Sequence, residues 1–210
     1  MTQVAFGVWD GVAHDTRAAT SAPQVPEVAL TGFEEFDAGN PIRAFFGDRG
    51  FFVFDETVGL IDALYHYMTK AAEQSCGACT PCRMGTVLVR DALDKMRRGL
   101  DTPLDFDDIE MLGEQMRQTS LCGLGRSCAV ALLDVLHHFR DRIEAEVGTH
   151  RPIRAQHGMA YMTAPCIEAC PSKINVPRYI DYIRDGKPAN SLGVLLQKYP
   201  MAATCGRVCV

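Results

Sequence analysis

From Val58 onward apolar residues recur at helical spacing. Val58, Ile61, Leu64, Tyr65, Met68 and Ala72 share one face of a helix predicted to end near Gln74. The loop from Ser75 to Pro81 interrupts the pattern. A second amphipathic stretch runs from about Met84 to Arg98, with Val87, Val89, Leu93 and Met96 inward and Gly99 placed to stop it. Residues 105–118 predict a third helix, capped by Asp105 or Asp107, with Ile109, Leu112 and Met116 in register. A fourth spans Ser127 to Val147, and its face of Val130, Leu133, Leu136 and Ile143 suits a small bundle. Upstream, AFFGDRGFFVF at 44–54 sets two aromatic runs around a Gly-Asp-Arg-Gly turn, the pattern of a short hairpin or the last strands of a truncated sheet.

The flanks carry less pattern. Residues 1–42 scatter Pro, Ala, Thr and Asp without a sustained period, which predicts an irregular extension or one that leans on a partner. Residues 149–164 have the polar and small composition of a linker, including Pro152 and Gly158. Beyond it, Asn175 and Pro177 take cap and early helical positions for a segment over 178–184 stopped by Gly186, and another helix follows from about Ala189 to Tyr199. The expected fold is mainly α: an irregular extension (1–42), a short β remnant (43–55), a helical bundle (56–148), a linker (149–164) and a second small α-helical module (165–210).

Charge and composition narrow the function. A net charge of -5 gives no electrostatic reason to expect a nucleic acid as partner. No stretch approaches the ~20 apolar residues that cross a bilayer, and the first residues lack the basic and apolar regions of a secretory signal. A cytoplasmic protein is expected. In that reducing compartment nine cysteines are not a disulfide framework. They cluster at 76/79/82, 122/128, 166/170 and 205/209, the grouping of metal ligands.

Residues 75–83 read SCGACTPCR, and a fourth thiol arrives in SLCGLG at Cys122. A [4Fe-4S] cube takes one thiolate per iron. Three ligands from a tight loop, Cys76, Cys79 and Cys82, can cap one face and leave the opposite corner to Cys122. Gly77 and Gly123 let backbone pass near the inorganic sulfides. Structural zinc is the alternative, although its usual pattern is two separated CxxC pairs rather than a triplet; that reading makes the chain a zinc-stapled docking subunit of a redox complex. Cys128 is expected to pack as a small buried apolar residue.

The run FFVFDETVGLIDALYHYMTKAAEQSCGACTPCRMGT, with TSLCGLGRSC and HHFRDRIEAEV, resembles the carboxy-terminal cluster domain of the NADH-binding flavoprotein subunit of respiratory complex I and its hydrogenase and formate dehydrogenase relatives. The resemblance covers about half of the chain. It implies a [4Fe-4S] cluster on Cys76, Cys79, Cys82 and Cys122 that takes electrons from FMN. The glycine-rich FMN segment and the nicotinamide site of that family are missing here, so FAD or FMN and NAD(P)H are expected on a missing segment or a partner subunit.

The second set comprises Cys166 and Cys170 in PCIEACP and Cys205 and Cys209 in TCGRVCV. Two CxxxC pairs about 35 residues apart could enclose a cluster, and structural zinc or free thiols remain open on spacing alone. The layout is similar to the amino-terminal iron-sulfur domain of the glutamate synthase small subunit and dihydropyrimidine dehydrogenase, where CxxxCP, a tyrosine-bearing helix and CGRVC recur in order. Such domains hold two [4Fe-4S] clusters, implying a second iron-sulfur site or sites here. The CxxC that precedes this layout is absent, and the CExxC that follows lies beyond Val210, so the module is expected to be truncated.

His66, His137 and His138 sit on helical faces and predict packing or solvation. No acid-base or nucleotide motif marks a complete catalytic site in this chain. The expected function is an iron-sulfur electron-transfer subunit, or fragment, of an NAD(P)H-linked oxidoreductase resembling formate dehydrogenase or hydrogenase complexes, with other redox subunits as partners.

Overall fold

A computed structural model describes residues 4–16, 42–149 and 158–208. The aromatic runs form the predicted hairpin, β3 (Ala44–Gly47) and β4 (Gly50–Val53), antiparallel with Phe46 opposite Phe51. The hairpin belongs to a larger sheet. Within the first 42 residues, expected to be irregular, Phe6–Trp9 (β1) and Val12–Asp15 (β2) pair antiparallel. Asp10 and Gly11, at φ 50° and 74°, make the tight turn that Asp-Gly favours in hairpins. β1 pairs with β4, and β5 (Met159–Tyr161), which falls within the expected linker, runs parallel to β3. The order is β2-β1-β4-β3-β5. At Gly50, φ 136°, a Cβ would lie 2.1 Å from the Val8 carbonyl oxygen, so only glycine admits this approach of β1 and β4.

Alternation along the strands gives the sheet two apolar faces. Phe6, Val8, Phe46, Phe51 and Val53 face the helices, whereas Trp9, Phe45 and Phe52 cluster with Ala160. The predicted helices follow as α1 (Leu60–Gln74), α2 (Thr80–Arg97), α3 (Phe106–Thr119), α4 (Gly123–His138) and α5 (Arg140–Ala145). α1 packs on α2, α3 on α4, and α4 against the sheet. Leu64, Met68, Leu93, Ile109 and Leu132 join the strand aromatics in one continuous core. Each such buried side chain contributes about 1.5–3 kcal/mol relative to exposure.

Three boundaries differ from the sequence pattern. α2 starts at Thr80 rather than near Met84, because Pro81 fits a first turn that needs no amide donor. α4 starts at Gly123 rather than Ser127. The fourth predicted helix breaks at Phe139 (φ -133°, ψ 30°), whose ring is held 5.1 Å from Phe6 and 5.7 Å from Phe51. Of the two cap candidates it is Asp105 that caps α3, in a reciprocal capping box with Asp108.

Long-range polar contacts lock the bundle. α1 has no side-chain cap of its own, and the Ile61 amide donates to the Glu146 carboxylate at 3.0 Å. Arg97 of α2 pairs with buried Asp62 of α1 at 3.2 Å, its guanidinium 4.1 Å from the Tyr65 ring. The carboxy-terminal part continues through α6 (Pro165–Glu168), α7 (Val176–Arg184), α8 (Pro188–Leu196) and α9 (Ala202–Val208), with α7 on α8 and α6 against α4. The fold is mainly α with one small sheet. No helix among the described residues is long and apolar enough to cross a membrane.

Candidate metal centre

The cysteines lie where helices begin. α1 ends at Gln74, the chain turns through Gly77 at φ 79°, and Cys79 becomes the N-cap of α2. Cys82 follows in the first turn of α2, and Cys122 is the N-cap of α4. Neither N-cap cysteine bonds back to its helix. The unsatisfied amides and positive dipole end of a helix start favour negative charge, such as a thiolate.

Close packing brings these starts together. A Cβ on Gly125, in the first turn of α4, would lie 2.9 Å from the Cys82 Cβ and 2.4 Å from the Ser120 Oγ. The Cys82 thiol is pushed up to about 11, chiefly by burial, with the Ser75 hydroxyl at 3.3 Å opposing and the thiols of Cys79, Cys122 and Cys76 adding to the rise. All four cysteines expected as ligands thus occupy one neighbourhood: Cys82 buried, Cys76 and Cys79 half-buried, Cys122 exposed. Among the described residues no three His, Cys, Asp or Glu side chains are grouped as for a metal ion. Thiolates that each bind a separate iron of a cube stand further apart than thiolates around one ion.

Cys128 is fully buried beside this group. Its thiol donates to the Gly125 carbonyl at 3.6 Å, and burial raises its pKa well above the ordinary value. Of the second set, exposed Cys166 on α6 feels the Cys122 thiol, and half-buried Cys170 follows the helix. Ala164 and Ile167 pack with Cys82 and Leu124, so the described half of the second set abuts the first. The side chain of Cys205 and all of Cys209 lie outside the described residues.

Sequence reasoning missed the polar residues around the loops. Arg83 donates to the Gly77 carbonyl (3.0 Å), Arg126 to the Ser120 carbonyl (2.8 Å), and Arg178 from α7 to the Cys76 carbonyl (3.1 Å). None of the three has a carboxylate partner among the described residues, whereas Arg43, Arg49, Arg97 and Arg140, away from the cysteines, each do. The Ser120 hydroxyl is buried with no hydrogen-bond partner among the described residues. Adjacency to Cys82 and Cys122 was a signal available for Arg83 and Ser120. For Arg178, 96 positions beyond Cys82 in the chain, nothing local pointed to the loop.

The residues present fit an iron-sulfur cluster. Four soft thiol donors share a neighbourhood where helix starts, guanidiniums without a carboxylate partner among the described residues and a buried hydroxyl left over by the protein all favour an anion that accepts hydrogen bonds. Comparison with known proteins agrees. Residues 62–146 match the NADH-ubiquinone oxidoreductase-F iron-sulfur binding region, and residues 141–210 match dihydropyrimidine dehydrogenase domain II, 4Fe-4S cluster. Over its whole length the chain is 30% identical to 34% of the NADP(+)-dependent formate dehydrogenase subunit beta of Moorella thermoacetica. It is 31% identical to 31% of the NADPH-Fe(3+) oxidoreductase subunit beta of Geobacter sulfurreducens. Over 67% of its length it is 26% identical to 29% of the mitochondrial NADH-ubiquinone oxidoreductase 51 kDa subunit of Aspergillus niger. The chain spans about a third of the length of these relatives. The chain is thus similar in its middle to an iron-sulfur binding region and in its carboxy-terminal third to a second 4Fe-4S domain, and the formate dehydrogenase and NADPH-Fe(3+) oxidoreductase beta subunits are matched along all of it.

Proposed function

We propose that Cys76, Cys79, Cys82 and Cys122 hold a [4Fe-4S] cluster and that the chain serves as an electron relay within a cytoplasmic NAD(P)H-linked oxidoreductase. The observation that carries this reading is the gathering of the Cys76, Cys79 and Cys122 thiols around that of Cys82, delivered by the closely packed starts of α2 and α4 and the loop between α1 and α2. When bound, the cluster supplies a site that gains and loses an electron without bond chemistry.

The chain's own residues do the rest. The amino-terminal ends of α2 and α4 point their free amides toward negative charge. Arg83, Arg126 and Arg178 fix the carbonyls of both cysteine loops, and their charge, uncompensated by any carboxylate among the described residues, opposes the thiolates. Leu124, Ala164 and Ile167 cover Cys82 with apolar surface and keep water from it. A half-buried site with one exposed cysteine, Cys122, has an edge from which an electron can leave.

The residues from 56 to 148 form the unit that holds this cluster, and residues 165–210 a second iron-sulfur module whose Ile167 packs with Cys82 and Leu124. Cys166, Cys170, Cys205 and Cys209 are the ligands proposed there. We assign flavin (FAD or FMN) and NAD(P)H to sequence outside this chain or to partner subunits; the relatives' names support the nicotinamide, printing NADP(+) and NADPH.

Serine substitution tests the ligand set. After anaerobic reconstitution, Cys82→Ser and Cys122→Ser are expected to lose most of the broad visible absorption of the cluster, while Cys128→Ser keeps it. Retention of full absorption by Cys82→Ser, or a colourless wild-type protein carrying zinc, overturns the reading.

A further inference from the structure

Away from the exposed surface, the described hydroxyls near the cysteines are almost all engaged. Thr86 donates to the Cys82 carbonyl at 2.8 Å, Ser127 to the Gly123 carbonyl and Thr163 to the Gln74 side chain, while the Ser75 hydroxyl meets the Cys82 sulfur at 3.3 Å. Ser120 is the exception. Its side chain is 1% exposed, and its oxygen has no hydrogen-bond partner among the described residues. Leaving a buried hydroxyl unsatisfied costs stability, so such a group needs an explanation.

Its position supplies one. Ser120 follows α3 and precedes Cys122 by two residues. A Cβ placed on Gly125 would touch both the Ser120 side chain and the Cys82 Cβ, so the hydroxyl lies in the wedge between the starts of α2 and α4, where the cysteines gather. The Ser120 carbonyl is already held by Arg126 and its amide by the Met116 carbonyl, which pin the residue and leave only the hydroxyl free.

We propose that Ser120 is a positioning residue that tunes the metal centre, its hydroxyl donating a hydrogen bond to a sulfur of the [4Fe-4S] group; this rests on the reading above that Cys76, Cys79, Cys82 and Cys122 are the ligands. Sulfur carries more negative charge after reduction, and a donor stabilises the more negative state more strongly. The Ser120 hydroxyl therefore favours the reduced centre. A hydrogen bond lost on substitution is worth about tenfold in the reduction equilibrium, which is about 59 mV for one electron.

The test compares wild type with Ser120→Ala and Ser120→Thr in the full-length chain, reconstituted anaerobically. Iron content, an EPR-monitored redox titration, and the exchangeable-proton couplings of the reduced protein in H2O and D2O are measured. The expected result is unchanged iron, a potential lower by about 59 mV in Ser120→Ala, loss of one exchangeable coupling, and recovery of both in Ser120→Thr. An unchanged potential and unchanged couplings in an iron-loaded Ser120→Ala protein overturn the proposal and leave the ligand assignment standing. If Ser120→Ala loses its iron and Ser120→Thr keeps it, a requirement for the hydroxyl is supported. Loss from both variants alike makes the site's shape the cause and overturns the proposal. Wild-type protein that binds no iron overturns the ligand assignment itself.

Discussion

Adding one methyl group at each of two helical glycines separates packing at the candidate site from helix propensity. At Gly125 an added Cβ meets the Ser120 Oγ at 2.4 Å, the Ser120 Cβ at 2.6 Å and the Cys82 Cβ at 2.9 Å. Two of these atoms are Cβ carbons fixed by their own backbones, so neither can swing aside. At Gly193 in α8 nothing lies within 4 Å of the new atom. Propensity alone favours alanine by roughly 0.5–1 kcal/mol in a helix interior. Overpacking a close-packed site costs about 1–3 kcal/mol, and the fixed neighbours put Gly125→Ala toward the upper part of that range. The net expectation is a loss of about 1–2 kcal/mol for Gly125→Ala and a gain of about 0.5–1 kcal/mol for Gly193→Ala. For a chain of this size these correspond to a melting temperature lower by about 2–8 °C and higher by about 1–4 °C. Thermal unfolding followed by far-UV circular dichroism, under anaerobic conditions, reads both. A Gly125→Ala protein as stable as wild type refutes the close approach of α2 and α4 at the cysteines, and with it the convergence of thiols.

Further expectations concern the scaffold. The Asp134 Oδ2 is buried without a hydrogen-bond partner among the described residues, and burial raises the pKa to about 6, with His137 opposing. Because this lies above the ordinary 3.8, the folded state holds a proton the unfolded chain releases, and stability falls as pH rises through that interval. Asp134→Asn should remove this dependence in melts recorded across the window; a difference from wild type that does not vary with pH contradicts it. Arg97→Ala leaves buried Asp62 without its α2 cation and should cost about 3–5 kcal/mol in denaturant unfolding, against less than 1 kcal/mol for half-buried Arg90→Ala, whose ion pair with Asp91 is at the surface. Asp105→Ala removes the capping box of α3 and should cost about 1 kcal/mol by the same measurement; no loss there would mean that the packing of Phe106 alone sets the start of the helix.

Legibility followed the range of the determining interaction. The helices from residue 60 to 138 were readable because their core positions repeat every turn, and the β3–β4 hairpin because two aromatic runs flank a turn. Strands β1, β2 and β5 escaped because four or three residues give too little period, and their pairing depends on partners far along the chain. The break at Phe139 was equally hidden, since its ring is held by Phe6 and Phe51 across the core. Cysteine spacing pointed to Cys76, Cys79, Cys82 and Cys122 because three of them share one short loop. Ser120 and Arg178 take their places at the site from tertiary packing, which no spacing records.

In the proposed centre, four thiols carried by α2, α4 and one loop bind a four-iron cube. Iron and acid-labile sulfide quantitation with EPR of the reduced, anaerobically prepared protein tests it most directly. At least about four irons and four sulfides per chain are expected, about eight of each if the second module is also loaded, with the paramagnetic signal of a reduced cluster. A protein reconstituted with iron and sulfide that retains neither, or that holds a single zinc ion per chain without a signal, contradicts it.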